Sequence, residues 1–154
     1  MEDHSGDNQT RRGQLEQMLG EQINALISSS HALHVRTAAR FDSSMQPAAF
    51  LIIRWLFSFG TTSAAHLAEA TAMDRSSVSR LVKHLEHSGY VKKEVSPDDR
   101  RGILLSLTEL GRLKTVDALK EKELAFYERI SKWDNEHLED FIKMLRLFNG
   151  YDDK

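Results

Sequence analysis

Residues 67–112 read LAEATAMDRSSVSRLVKHLEHSGYVKKEVSPDDRRGILLSLTELGR, and the change of period inside this stretch decides the fold. Asp74 suits an N-cap for a helix over Arg75 to Ser88, and Gly89 suits a left-handed residue that closes it. On a wheel of about 100° per residue, Val78, Leu81, Val82 and Leu85 fall within one narrow arc. Ser76, Ser79, Arg80, Lys83 and His87 lie opposite, with Glu86 at the edge. A shorter helix over Ser63 to Thr71 precedes this one across a tight connection near Met73. After Gly89, Tyr90 to Val95 and Gly102 to Leu107 roughly alternate in polarity around Ser96-Pro97-Asp98-Asp99, which is the chemistry of a hairpin turn. Helix, tight turn, helix and hairpin in that order predict a winged helix-turn-helix.

Outward from this stretch the pattern is helical. Toward the N-terminus, Pro47 to Phe59 carries Phe50, Ile52, Ile53, Trp55, Leu56 and Phe57 on nearly every side, which predicts a buried central helix ending at Gly60. Leu15, Met18, Leu19, Ile23, Leu26, Ile27 and Leu33 predict one long helix or two joined ones over about 11–41, with roughly the first ten residues frayed. Toward the C-terminus, Thr108 suits a cap for a helix over Glu109 to Ile130, and Asp134 for another over Asn135 to Asn149. The expected fold is mainly α with a small β-hairpin wing. One domain of 154 residues would hold a winged helix-turn-helix over 45–108 and a helical dimerisation region from 11–41 and 109–150. Leu15, Leu19, Phe141, Leu145 and Phe148 are the expected dimerisation residues, because so small a chain offers their stripes little else to bury against.

The polar face of the helix starting at Arg75 is suited to DNA. The major groove admits such a helix, whose N-terminal half reaches bases. Arginine takes guanine bidentately, serine takes base edges or phosphate, and lysine suits phosphate. Arg75, Ser76, Ser77, Ser79, Arg80 and Lys83 are the expected contacts on this helix, with Ser76, Ser79 and Arg80, and next Lys83, as the base-reading candidates. At the hairpin tip, Arg100 and Arg101 suit a narrow minor groove, and Asp99 is expected to orient one of the two guanidinium groups. Net charge is −2, but residues 74–102 hold seven basic and five acidic side chains. A mildly basic segment on an acidic body fits a polyanion met through one patch.

Composition narrows the remaining classes. The absence of cysteine excludes disulfides, thiolate metal sites and thiol redox sensing. Neither a membrane span nor a signal peptide is apparent, so a cytoplasmic protein is expected. His31 and His34, like His84 and His87, stand three apart on a helix, but no adjacent carboxylate completes a metal set, so neither metal nor cofactor is expected. Gly-rich phosphate loop, nucleophile elbow and paired-carboxylate site are all missing, and an enzyme is not expected.

Residues 67–112 resemble the MarR family of bacterial transcription regulators, whose pattern runs loosely LAxxxxxDxSTVSRxVxxLExxGLVxRxxxPxDxRxxxxxLTxxG. Asp74, Ser76, Val78, Arg80, Leu81, Leu85, Glu86, Gly89, Val91, Pro97, Asp99, Arg101, Leu107, Thr108 and Gly111 fall on it, and Ser77 stands where the family often has threonine. The resemblance implies a homodimer with interdigitated terminal helices, and two winged helices reading a pseudo-palindromic site in double-stranded DNA. It also implies repression relieved by a ligand or a modification. A small-molecule effector, an aromatic acid or phenol by family analogy, would lie among His31, His34, Phe41, Arg54, Trp55 and Phe59. Arg54 is either a carboxylate binder there or a snorkelling surface residue, and Trp55 has a plain core role as its alternative. The alternative function is a winged-helix protein-interaction module without DNA reading.

Overall fold

A computed structural model describes residues 4–97 and 102–150, with side chains from residue 9 onward. The chain divides into two compact units, Met1–Ala118 and Leu119–Lys154. In the first, α1 (His4–Phe41) is one uninterrupted helix of 38 residues. It begins within the segment expected to fray.

Next comes α2 (Pro47–Phe59), with proline in its first turn. Gly60 closes it at φ +85° and donates its N–H to the Leu56 carbonyl at 2.9 Å. Ala49, Phe50, Ile52, Ile53 and Leu56 are buried. The burial is one-sided, however: Leu51 is 39% exposed and Phe59 72%, so the expectation of a helix covered all round is corrected. The apolar residues outnumber the core positions that one face of a helix supplies.

A two-residue strand, β1 (Thr62–Ser63), leads into α3 (Ala64–Thr71), capped by Ser63. The turn to α4 (Arg75–His87) passes through Ala72 at φ +53°, a left-handed residue that is not glycine. The sheet also holds β2 (Val91–Val95) and β3 (Ile103–Leu107), in the antiparallel order β1-β3-β2. Val91 faces Leu107 at the base of the hairpin and Val95 faces Ile103 near its tip. Val91 and Leu105 enter the core, whereas Val95 and Ile103 are exposed. The hairpin therefore leaves the core as it lengthens.

The core joins Ala38 and Phe41 of α1, the inner face of α2, Leu67 and Ala68 of α3, and Val78, Leu81, Val82 and Leu85 of α4. Tyr90, Val91, Leu105 and, from α5 (Glu109–Ile130), Ala118 complete it. The start of α5 is fixed by Thr108. Its Oγ1 donates to the Gly89 carbonyl at 2.6 Å and accepts the Gly111 N–H at 3.0 Å. Its own N–H donates to the Tyr90 carbonyl at 3.0 Å. Tyr90 also reaches the end of α1: its hydroxyl donates to Oδ2 of Asp42, the residue that follows the helix, at 2.6 Å.

The second unit holds the end of α5 and α6 (Asn135–Phe148), capped by Asp134 through the His137 N–H. None of the residues of α6 is buried. Phe141, Ile142, Leu145 and Phe148 form an exposed apolar stripe. Trp133 meets Phe141 edge to face at 5.4 Å.

Two outcomes are expected. A Cβ at Gly111 would run into the Tyr90 carbonyl oxygen, a backbone atom with no room to retreat. Gly111→Ala should therefore cost about 1–3 kcal/mol in chemical denaturation, the usual penalty for overpacking. Asp42 is held at about 2, below its ordinary 3.8, first by the Tyr90 hydroxyl and then by the Ser44 amide and hydroxyl. A depressed carboxylate stabilises the fold above its unfolded value and loses that contribution as pH falls through its folded one. Asp42→Asn should flatten the loss of stability between about pH 4 and pH 2, as followed by denaturant melts across that range.

Candidate nucleic-acid interface

The face of α4 that meets solvent is produced by the face that does not. With Val78, Leu81, Val82 and Leu85 buried, helical geometry leaves Arg75, Ser76, Ser79, Arg80, Lys83, His84 and His87 exposed. Among the described residues, no hydrogen bond or ion pair engages the side chains of Arg75, Ser79, Arg80 or Lys83, so their donors face water. Arg80, Lys83, His84, Glu86 and His87 line one shallow concavity along the second half of the helix.

The N-terminal end is organised by Asp74. Its carboxylate accepts the Ser77 N–H at 2.8 Å and the hydroxyls of Ser76 at 2.5 Å and Ser77 at 2.6 Å. These bonds, the Ser76 hydroxyl foremost, hold the Asp74 carboxyl well below the usual range. Both serine protons are thus committed to the cap. Ser76, read from sequence as a base-reading donor, retains only its oxygen lone pairs toward a ligand, and Ser77 is half-buried. Ser79 and Arg80 are the residues placed to donate. The remaining amide N–H groups of the first turn point outward with the positive end of the helix dipole.

Glu86, the acid nearest this face, is drawn aside by Lys93 of β2 at 2.9 Å. An ion pair of this exposure contributes about 0–1 kcal/mol to stability. Its effect here is electrostatic, since it removes one unpaired acid from beside the arginine and lysine. Along the wing, Lys92 pairs with Glu94 at 2.5 Å. The Ser96 N–H donates to the Gly102 carbonyl at 2.8 Å and so pins the two strands immediately before the tip. Asp99, Arg100 and Arg101 lie outside the described residues.

The residues expected to line an effector pocket are placed in separate contacts. His34 Nε2 donates to the Pro47 carbonyl at 2.9 Å while its ring packs on Phe50 at 5.4 Å. Trp55 is half-buried between Phe59 at 5.1 Å and His66 at 5.3 Å. Arg54 is half-buried and His31 is exposed. Leu15 and Leu19 of α1 are each about half exposed, as is Phe141 of α6. Sequence reasoning missed the bond of Tyr90 to Asp42, whose partners are 48 positions apart, and the placement of Lys114 Nζ over the rings of Phe41 and Tyr90 at 5.4 and 5.3 Å. No local signal marks either one.

Comparison with known proteins places the chain among helix-turn-helix regulators. The family model described as "MarR family" matches residues 43–102, which hold the helix-turn-helix and the first wing strand, β2. The HTH-type transcriptional regulator YxaD of Bacillus subtilis is 29% identical over 131 residues, 80% of this chain and 91% of the relative. The HTH-type transcriptional regulator YdcH of the same organism is 30% identical over 105 residues, 65% of this chain and 71% of the relative. Among solved structures, a MarR family protein from Bacillus stearothermophilus superimposes with a TM-score of 0.70 at 18% identity, covering 88% of this chain and 95% of that one. The chain belongs to the MarR family of helix-turn-helix transcriptional regulators.

Proposed function

We propose that this regulator binds a pseudo-palindromic operator as a homodimer, represses transcription from it and releases it when a small molecule binds. The observation that carries the reading is the outward row of Ser79, Arg80 and Lys83 on a helix whose opposite side is locked in the core. Side chains on a rigid element can read base edges with little loss of conformational freedom. Arg75 and the amides beside Ser76 and Ser77 suit the flanking phosphates. Arg100 and Arg101 are proposed to enter the minor groove with Asp99 steering one of them. Two-fold pairing would set two such helices about 34 Å apart, in successive major grooves.

The exposed stripes support dimerisation. Leu15 and Leu19 on α1, and Phe141, Leu145 and Phe148 on α6, are large apolar residues left open within one chain. Each is worth about 1.5–3 kcal/mol when fully buried. The effector is proposed to be an aromatic acid or phenol bound near His31, His34, Arg54 and Trp55, where a cation and aromatic rings stand on neighbouring helical segments. No described helix is long and apolar enough to cross a membrane. A cytoplasmic site of action fits a regulator of bacterial DNA.

Selection from a random duplex library at about 0.15 M salt tests the reading, because non-specific binding is weak there. Enrichment of half-sites about one helical turn apart is expected. Failure to enrich any duplex would turn the assignment toward a protein-interaction module. Arg80→Ala should lower affinity for the selected duplex by about 1–3 kcal/mol and relax one base position, whereas Lys83→Ala should weaken all duplexes alike and reduce the salt slope by about one. Unchanged base preference in the arginine variant would remove its assigned role. Leu145→Asp should yield monomer in light scattering, and an intact dimer would exclude α6 from the interface.

A further inference from the structure

We propose that Asp42 and Tyr90, with Lys114 above them, form a positioning site that sets the direction in which α4 presents its DNA-reading face. The inference rests on the DNA-binding reading above. Tyr90 follows the last residue of α4 by three positions, and its N–H still donates to the Leu85 carbonyl at 3.0 Å. It is therefore the handle of that helix. Its backbone carbonyl is fixed from α5 by the Thr108 N–H, and Gly111 leaves no slack against the same oxygen. Its side chain is fixed from α1, where the ring meets Phe41 edge to face at 4.8 Å and the hydroxyl reaches Asp42.

A phenylalanine would fill the same space, so the hydroxyl is not required for packing. What it adds is direction. A bond of 2.6 Å to a carboxylate admits little lateral play. The carboxylate itself cannot swing, because its other oxygen accepts the Ser44 N–H at 2.9 Å and the Ser44 hydroxyl at 2.7 Å. Lys114 lies above both rings and brings a positive charge to this cluster. The Asp42 bond, and then burial, raise the phenol to about 12, while Asp42 lies near 2, so the donor and acceptor keep their roles across the working pH range. The helix is thus clamped at its C-terminal end by the long helix of the first unit as well as by the hairpin base. A small error in its angle would cost the contact of Arg80 with a base edge far more than it would cost lysine contacts with phosphates. Bidentate base contacts require alignment and phosphate contacts do not.

The test compares two probes: the duplex selected by the unaltered protein, and a mixed-sequence duplex of equal length. Tyr90→Phe and Asp42→Ala should each weaken the selected duplex about tenfold, the usual size for a lost hydrogen bond to a charged group, and change the mixed duplex less than about twofold. The double variant should be no worse than either single one, since both remove the same bond. Asp42→Asn keeps one acceptor oxygen for the hydroxyl but sets an amide donor against Ser44, and should recover part of the affinity. Helical content and oligomeric state, measured alongside, should match the unaltered protein. Equal losses on both duplexes, additive losses in the double variant, or an unchanged ratio would overturn the positioning site while leaving the DNA-binding reading intact. If the unaltered protein selects no duplex, both fall.

Discussion

Four aliphatic side chains, Val78, Leu81, Val82 and Leu85, hold the candidate interface in place. Each contributes about 1.5–3 kcal/mol on burial, and together they dock α4 against the rest of the core. Because a helix has a fixed period, burying this arc dictates which residues face outward. The donors of Ser79, Arg80 and Lys83 are aimed by hydrophobic packing rather than by polar bonds of their own. A side chain held by its own partners would have to break them to meet a ligand. One held only at its backbone meets the ligand with its donors available.

The polar groups around α4 divide the remaining work between its ends. At the N-terminus Asp74 gathers one amide and two hydroxyls, which fixes where the helix begins and what its first turn offers. At the C-terminus Gly89, Tyr90 and Thr108 tie the helix to the hairpin and to α5 through backbone bonds and the Thr108 hydroxyl. Glu86, at the edge of the face, pairs with Lys93. An acid therefore sits near each end of a helix suited to a polyanion, and in each case neighbouring donors draw on its charge.

Much of this was legible because it is local. Asp74 and Thr108 announce caps by type and position, Pro47 and Gly60 bracket α2, and the shift of period after Gly89 marks the hairpin within a residue or so. The features that were not legible depend on what the fold brings together. A two-residue strand at Thr62 has no pattern of its own and exists only because Leu105 lies opposite it. Ala72 adopts a left-handed conformation that its side chain does not favour, held there by its N–H donating to the Glu69 carbonyl and the Met73 N–H to the Ala68 carbonyl. Ser76 reads as a donor toward DNA until the Asp74 oxygen is found 2.5 Å away. His34 and Trp55 read as pocket residues, yet each already has a structural contact that any ligand would have to share or displace.

The bare surface of α6 has a consequence for how much protein must be present. A helix of 14 residues that buries none of them is marginal on its own propensity in water. Its order then depends on whatever covers it, and a covering partner obeys mass action. With a second copy as that cover, the temperature at which the chain melts rises with its own concentration. A regulator kept at few copies per cell would lie near the lower end of that curve, where synthesis of additional chain stabilises the molecules already made.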